Sequence, residues 1–325
     1  MPDFGALLRR VDATKQRFAP TAFVVGVAKK FGDDRGGALA AQLTYYGFLS
    51  IFPSLLILTT VLGFVGNREV SNGVIGTTLA QFPVLGEQIG KNVAHPLSGS
   101  GIGLAFGLLI LLYGLLGSTQ AAQNTMAQVW NVPAVARPGF FPRLGRGAGF
   151  VATLGIGMVV SAFLSGLVTV AGQSLPARVL GFIVMVALNV GIYLAAFRVL
   201  TPGGASTRQL VPGAVLGGVG YSVLLSIGTA LVQHQLKHSQ AIYGQFALVL
   251  GLMAWLALVA QLTVYAAEVN VVLARRLWPR SITAPLVDAD KRVLRDLAHQ
   301  EERIDDERVA IGFAPDRVGE ATRDA

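Results

Sequence analysis

Inside an apolar run from Phe246 to Ala274 the chain places a single carboxylate, Glu268, two residues before Asn270. A charge at that depth in hydrocarbon is costly, so it must find a partner, reach the interface or perform a function. Two chemistries fit it. Glu268 serves as a proton or cation site in a carrier, or it closes a structural ion pair with a basic group such as Arg137, Arg143 or Arg275, since it sits only a turn or two from the end of the run. Other polar side chains interrupt apolar stretches at helical spacing. Gln42, Tyr45, Tyr46 and Ser50 fall on or near one face of the first stretch. Ser118, Thr119, Gln120, Gln123, Asn124 and Gln128 crowd the later half of the second, and should turn toward other helices or a wet cavity. The set expected to line a transport path or polar cavity is therefore Gln42, Tyr45, Tyr46, Gln123, Asn124, Tyr243, Glu268 and Asn270. For the tyrosines, and for Tyr265, interfacial anchoring or packing is the competing reading.

The motifs of soluble catalysis are missing from this sequence. It holds no glycine-rich phosphate loop with its lysine, no GxSxG elbow and no cysteine. His234 and His238 have the i, i+4 spacing of a zinc pair, but no third ligand accompanies them, and they read as ordinary polar loop residues. The expectation is a protein that is not an enzyme, with no catalytic residue, metal or cofactor. The net charge of +8 could suggest a nucleic-acid binder. Its distribution argues otherwise: beyond Arg280 eleven acids face seven bases, so residues 1–280 carry +12. Those bases flank apolar spans, where anionic lipid headgroups are the natural counter-ions. Membrane lipids are the expected partners, with no nucleic acid.

These side chains need elements to hold them. With 53% hydrophobic residues, 14% charged and a mean hydropathy of +0.58, the chain is too apolar to cover a soluble surface. A hydrocarbon layer needs about 20 apolar residues in a helix. Six such stretches lie at about 38–65, 101–129, 147–171, 179–200, 212–232 and 246–274, with Pro53 expected to kink the first. Gly213 and Gly217 form a close-packing pair, as do Gly99, Gly103 and Gly107. The fold class is all-α: a polytopic membrane protein with six transmembrane helices in residues 37–276. An amphipathic leader over 1–36 lies on the inner leaflet, and a charged, largely disordered tail covers 277–325. Arginines and lysines gather in the leader, in 131–146, around Arg198 and Arg208, and at Arg275, Arg276 and Arg280. The preference of such residues for the cytoplasmic side puts both termini inside.

Four stretches carry a resemblance. ALAAQLTYYGFLSIFP at 38–53, NTMAQVWNV at 124–132, TPGG with RQLVPGAVLGG from 201, and AIYGQFALVLGLMAWLALVAQLTVYAAEVN from 241 are similar to the YihY/virulence factor BrkB family of bacterial inner-membrane proteins. The most specific marks are Tyr45, Tyr46, Phe52 and Pro53, then Tyr243 and Gly244, and the close Ala267, Glu268, Val269, Asn270. Family members usually have Gly where Ala266 or Ala267 stands. The resemblance implies a multi-pass protein of the bacterial inner membrane with a role in the cell envelope. Some members were labelled ribonuclease BN, yet a two-metal phosphodiesterase needs a cluster of His and Asp ligands that four scattered histidines do not supply. The expected function is a transporter or flippase-like carrier of an amphipathic envelope component, with a lipid or lipid-linked substrate; a non-transporting membrane scaffold for envelope machinery is the alternative.

Overall fold

A computed structural model describes residues 19–65, 101–170, 174–281 and 286–313; within these, the side chains of 52–65, 101–108, 110–111, 168–170 and 229–248 are outside the description. The described residues are helical, with no strand among them. In chain order the helices are α1 (Ala19–Asp33), α2 (Gly36–Val65), α3 (Gly101–Val129), α4 (Phe140–Val170), α5 (Leu175–Leu200), α6 (Thr207–Arg275) and α7 (Asp288–His299), with a 3-10 turn at Ala134–Ala136 between α3 and α4. Among the described residues, four segments are long and apolar enough to cross a bilayer: Phe140–Leu167, Leu175–Leu200, Thr207–Gly228 and Val249–Arg275. Their outward faces carry large apolar side chains such as Phe163, Leu180, Phe182, Ile183 and Leu250. That pattern suits lipid as the solvent, because backbone groups are satisfied within each helix and the apolar surface needs no water.

α4 starts at Phe140, seven residues before the stretch at about 147–171 expected as the third span. The helix begins as soon as Pro138 and Gly139 are passed; Pro142 falls in its first turn, where a missing N–H leaves no hydrogen bond unmade. α5 likewise begins at Leu175 with a proline in its first turn. The connection between the last two spans, expected as a polar loop, falls within one element of helical backbone, α6, that covers 69 residues. A straight helix of that length would extend about 100 Å. Yet the Gly213 N–H donates to Asn270 Oδ1 at 2.6 Å, so α6 doubles back into two antiparallel arms, Thr207–Gly228 and Val249–Arg275. Pro53 lies in helical backbone within α2, and the kink expected there falls on side chains outside the description.

The arms of α6 pack against α5 and α2, α3 lies along α2, α4 along α5, and α1 crosses the closing arm of α6. The tightest packing gathers at one end of the bundle. Val27, Val129, Phe197, Leu210, Val271, Val272, Leu277 and Val293 are buried there, drawn from five helices and the segment after α6. Residues 19–33 of the leader thus pack against the bundle, while residues 1–18 lie outside the description. Gly26 of α1 faces Leu277 and Trp278, and Phe31 stacks on Tyr265 with ring centroids 4.0 Å apart.

The tail differs from its expected disorder over residues 286–313; residues 314–325 lie outside the description. α7 buries Val293 completely, and its wholly buried Asp290 accepts hydrogen bonds from Lys29 Nζ at 2.8 Å, Arg280 Nε at 2.8 Å and the Ser281 N–H at 3.1 Å. Arg275 adds an ion pair to Asp296 at 2.7 Å. Burial by itself would push the Asp290 carboxyl up, but the donors from Lys29, Arg280 and Ser281 together hold it below its ordinary value of 3.8. A carboxylate depressed in the folded state contributes stability that is complete above the unfolded pKa, about 4, and is lost as pH falls through the lower folded value. Hydrogen-exchange protection over residues 286–300, taken relative to the unfolded chain at the same pH, is expected to be high at neutral pH and to fall below about pH 4. Asp290→Asn should show the low protection already at pH 7; high protection in that variant would mean that α7 is held by apolar contacts alone.

Candidate functional site

Two arrangements come from the sequence-derived residues. The first surrounds Glu268, which α6 carries into the crowded end of the bundle with no exposed surface. Its nearest cation is Lys30 of α1, with Nζ 3.7 Å from Oε2. Lys30 is itself fully buried, pairs with Asp34 one turn on and donates to the Val129 carbonyl at 3.1 Å. Arg137, Arg143 and Arg275 do not provide the pair: Arg275 is engaged by Asp296 and by the Trp130 carbonyl, at 2.7 Å each. One cation between two buried carboxylates leaves a negative charge unbalanced. Neither Glu268 oxygen has a hydrogen-bond partner among the described residues, so Lys30 is the charge that faces it. Burial pushes the Asp34 carboxyl above its ordinary range, against the pull of Lys30.

Asn131 closes this cluster from the loop after α3. Its backbone takes the left-handed conformation, φ 47°, which asparagine tolerates better than most residues. From there its amide donates to Asp34 at 3.3 Å and to Gln300 of the tail at 3.0 Å, while Gln300 reaches Gln128 at 2.5 Å. Asn270, expected in a cavity, instead accepts the Gly213 N–H and ties the two arms of α6 together.

The second arrangement is a cavity of about 360 Å³. Gln42 and Tyr46 of α2, Gln120, Gln123 and Asn124 of α3, and Arg137, Arg143 and Arg146 around the start of α4 all line it. Asn124 donates to Gln42 Oε1 at 3.2 Å and accepts from Arg137 at 3.3 Å, and Gln123 donates to the Arg143 carbonyl at 3.0 Å. Four of the sequence-derived set thus meet around one polar space, and Glu268 and Asn270 are elsewhere. Tyr45 stands half exposed against Tyr46, ring centroids 5.1 Å apart, and the side chains of Tyr243, His234 and His238 lie outside the description. A second cavity, about 320 Å³ and mainly apolar, lies between Leu43 and Gly47 of α2, Met126 of α3, Phe150 of α4, and Phe197 and Leu200 of α5.

Lys30, Asp34 and Asn131 were missed by sequence reasoning. The Lys30 and Asp34 pair at i, i+4 was visible as a helical ion pair, but nothing local marked it as buried.

A helical bundle with lipid-facing apolar surfaces, a buried charge cluster and a polar cavity at one end defines a polytopic membrane protein. The comparisons give the family. The model of the virulence factor BrkB family matches residues 27–288, and the chain belongs to that family. It is 22% identical to the ribonuclease-like protein YfkH of Bacillus subtilis, over 78% of this chain and 96% of YfkH. It is also 22% identical to the inner membrane protein YhjD of Escherichia coli, over 78% of this chain and 81% of YhjD. No solved structure matches.

Proposed function

We propose that this BrkB-family membrane protein is a flippase-like carrier of an amphipathic cell-envelope component. In this reading six spans cross the bacterial inner membrane, α2 and α3 joining the four apolar segments, and both termini are cytoplasmic because the arginine-bearing ends share that side. Membrane lipids, anionic headgroups among them, are its partners; the reading assigns it no catalytic step. The observation that supports it is the cavity lined by Gln42, Tyr46, Gln123 and Asn124, a polar space formed by side chains that would be expensive against lipid tails. Glu268 has no exposed surface and does not line this cavity, so the reading gives it a structural role.

The test is reconstitution in vesicles with head-labelled lipids and a membrane-impermeant quencher. Lipid should cross faster than in protein-free vesicles, and Gly117→Trp should slow it. Gly117 borders the cavity, and any side chain there meets the Tyr46 ring. Rates equal to protein-free vesicles across anionic and zwitterionic lipids, together with a stoichiometric protein partner on capture, would instead establish the scaffold.

A further inference from the structure

The two cavities are neighbours with opposite linings. Leu200 borders both, and α2 and α3 divide their side chains between them: Gln42 and Tyr46 face the polar space, while Leu43 and Gly47 face the apolar one. On α3, Gln123 faces the first and Met126 the second.

The polar space holds three guanidiniums from one short segment. Arg137 is hydrogen-bonded to the Val132 carbonyl and to Asn124, and Arg143 to the Pro138 carbonyl. Among the described residues, no ion pair includes Arg137, Arg143 or Arg146. Burial first, and then the charge of Arg143, hold the Arg137 guanidinium below its ordinary value, against the opposing pull of Glu301. Arg143 and Arg146 sit in the opening turns of α4, at the positive end of a 31-residue helix, where a cation is disfavoured and an anion is welcome. Three cations placed against that field are stable together when an anion joins them.

Three polar side chains of the apolar space, Asn189, Tyr193 and Thr263, are already paired. Asn189 donates to Ser222 at 2.9 Å, and Tyr193 and Thr263 share a hydrogen bond at 3.1 Å. A hydrocarbon chain there would leave none of these four groups without its partner.

We propose that the two cavities form one site for a phosphate-bearing lipid, with the phosphate held by Arg137, Arg143 and Arg146 and an acyl chain lodged against Leu43, Gly47 and Met126. Phosphate suits the site because guanidinium forks bind its oxygens in pairs and three cations match more than one negative charge. This deepens the carrier reading by naming the class of substrate.

The test uses the purified full chain in neutral detergent, stripped of lipid, with binding followed by native mass spectrometry and titration. The probes are phosphatidic acid, diacylglycerol with the same tails, and inorganic phosphate. Phosphatidic acid should bind, diacylglycerol should not, and inorganic phosphate should bind far more weakly. Arg137→Gln with Arg143→Gln should weaken phosphatidic acid by about tenfold or more, equivalent to at least about 1.4 kcal/mol. Gly47→Leu is the second arm. A side chain there meets open space in the apolar cavity, so it should fill that cavity without a clash. It should weaken phosphatidic acid and leave inorganic phosphate unchanged.

Unaltered phosphatidic acid binding in the double arginine variant, at an unchanged melting temperature, would overturn the proposal. Inorganic phosphate binding as tightly as the lipid, with no effect of Gly47→Leu, would overturn it in favour of a soluble anion. Translocation measured on the same preparations separates the two readings: tight binding without transport removes the carrier and keeps the site, and transport without arginine-dependent binding does the reverse.

Discussion

Lys30→Met is expected to destabilise the protein by about 3–5 kcal/mol, the cost of removing one partner from a buried ion pair. Lys30 has no exposed surface, ends against Asp34, and is the cation nearest to Glu268 at 3.7 Å. Methionine fills nearly the same volume, so the loss is electrostatic rather than a cavity. Two carboxylates would remain in a dry interior with Asn131 as the main donor. The expected observation is a large fall in detergent melting temperature or in folded yield. The triple variant Lys30→Met, Asp34→Asn, Glu268→Gln should recover most of it, because neutral groups of the same shape need no cation. If the single variant melts with the wild type, the cluster is not what holds α1 to α6. If the triple variant is as damaged as the single one, packing and not charge was lost.

The second large effect concerns close approach between the two arms of α6. A methyl group at position 213 would lie 2.0 Å from the Ala266 carbonyl oxygen and 2.5 Å from the Asn270 amide. The Ala266 oxygen belongs to helix backbone and cannot step aside, so the arms must separate. That separation also breaks the hydrogen bond from the Gly213 N–H to Asn270. Overpacking of this kind costs about 1–3 kcal/mol, and the lost buried hydrogen bond places Gly213→Ala at about 3 kcal/mol or above. Gly191→Ala is the matched control. It also lies within a helix, but nothing stands within 4 Å of its added carbon. Ala is the better helix former by up to about 1 kcal/mol, so this variant should be neutral or slightly stabilised. Equal melting temperatures for the two variants would show that the arms are not in contact at Gly213.

The long apolar helices were legible from the chain because what defines them is local, and among the described residues four segments, in α4, α5 and the two arms of α6, are apolar and long enough to cross a bilayer. An apolar run of sufficient length must be a helix in lipid, and its ends are announced by arginines, prolines and glycines close in sequence. The reading of 101–129 agrees with α3 at both ends, and that of 38–65 starts two residues after α2 begins. The polar face of α2 and α3 was legible for the same reason: helical spacing alone collects Gln42 with Tyr46, and Gln123 with Gln120.

What only the tertiary structure decided depends on residues far apart in the chain. Glu268 could have met any of several cations. It faces Lys30, more than two hundred positions away, because α1 packs across the closing arm of α6. The charged tail read as solvated since its composition favours water. Asp290 reverses that by meeting Lys29 and Arg280 together, an arrangement no local pattern encodes. The division of one helix surface between a polar and an apolar cavity was likewise invisible. Periodicity tells which side chains share a face, and only the neighbours of that face decide whether it is sealed or left open.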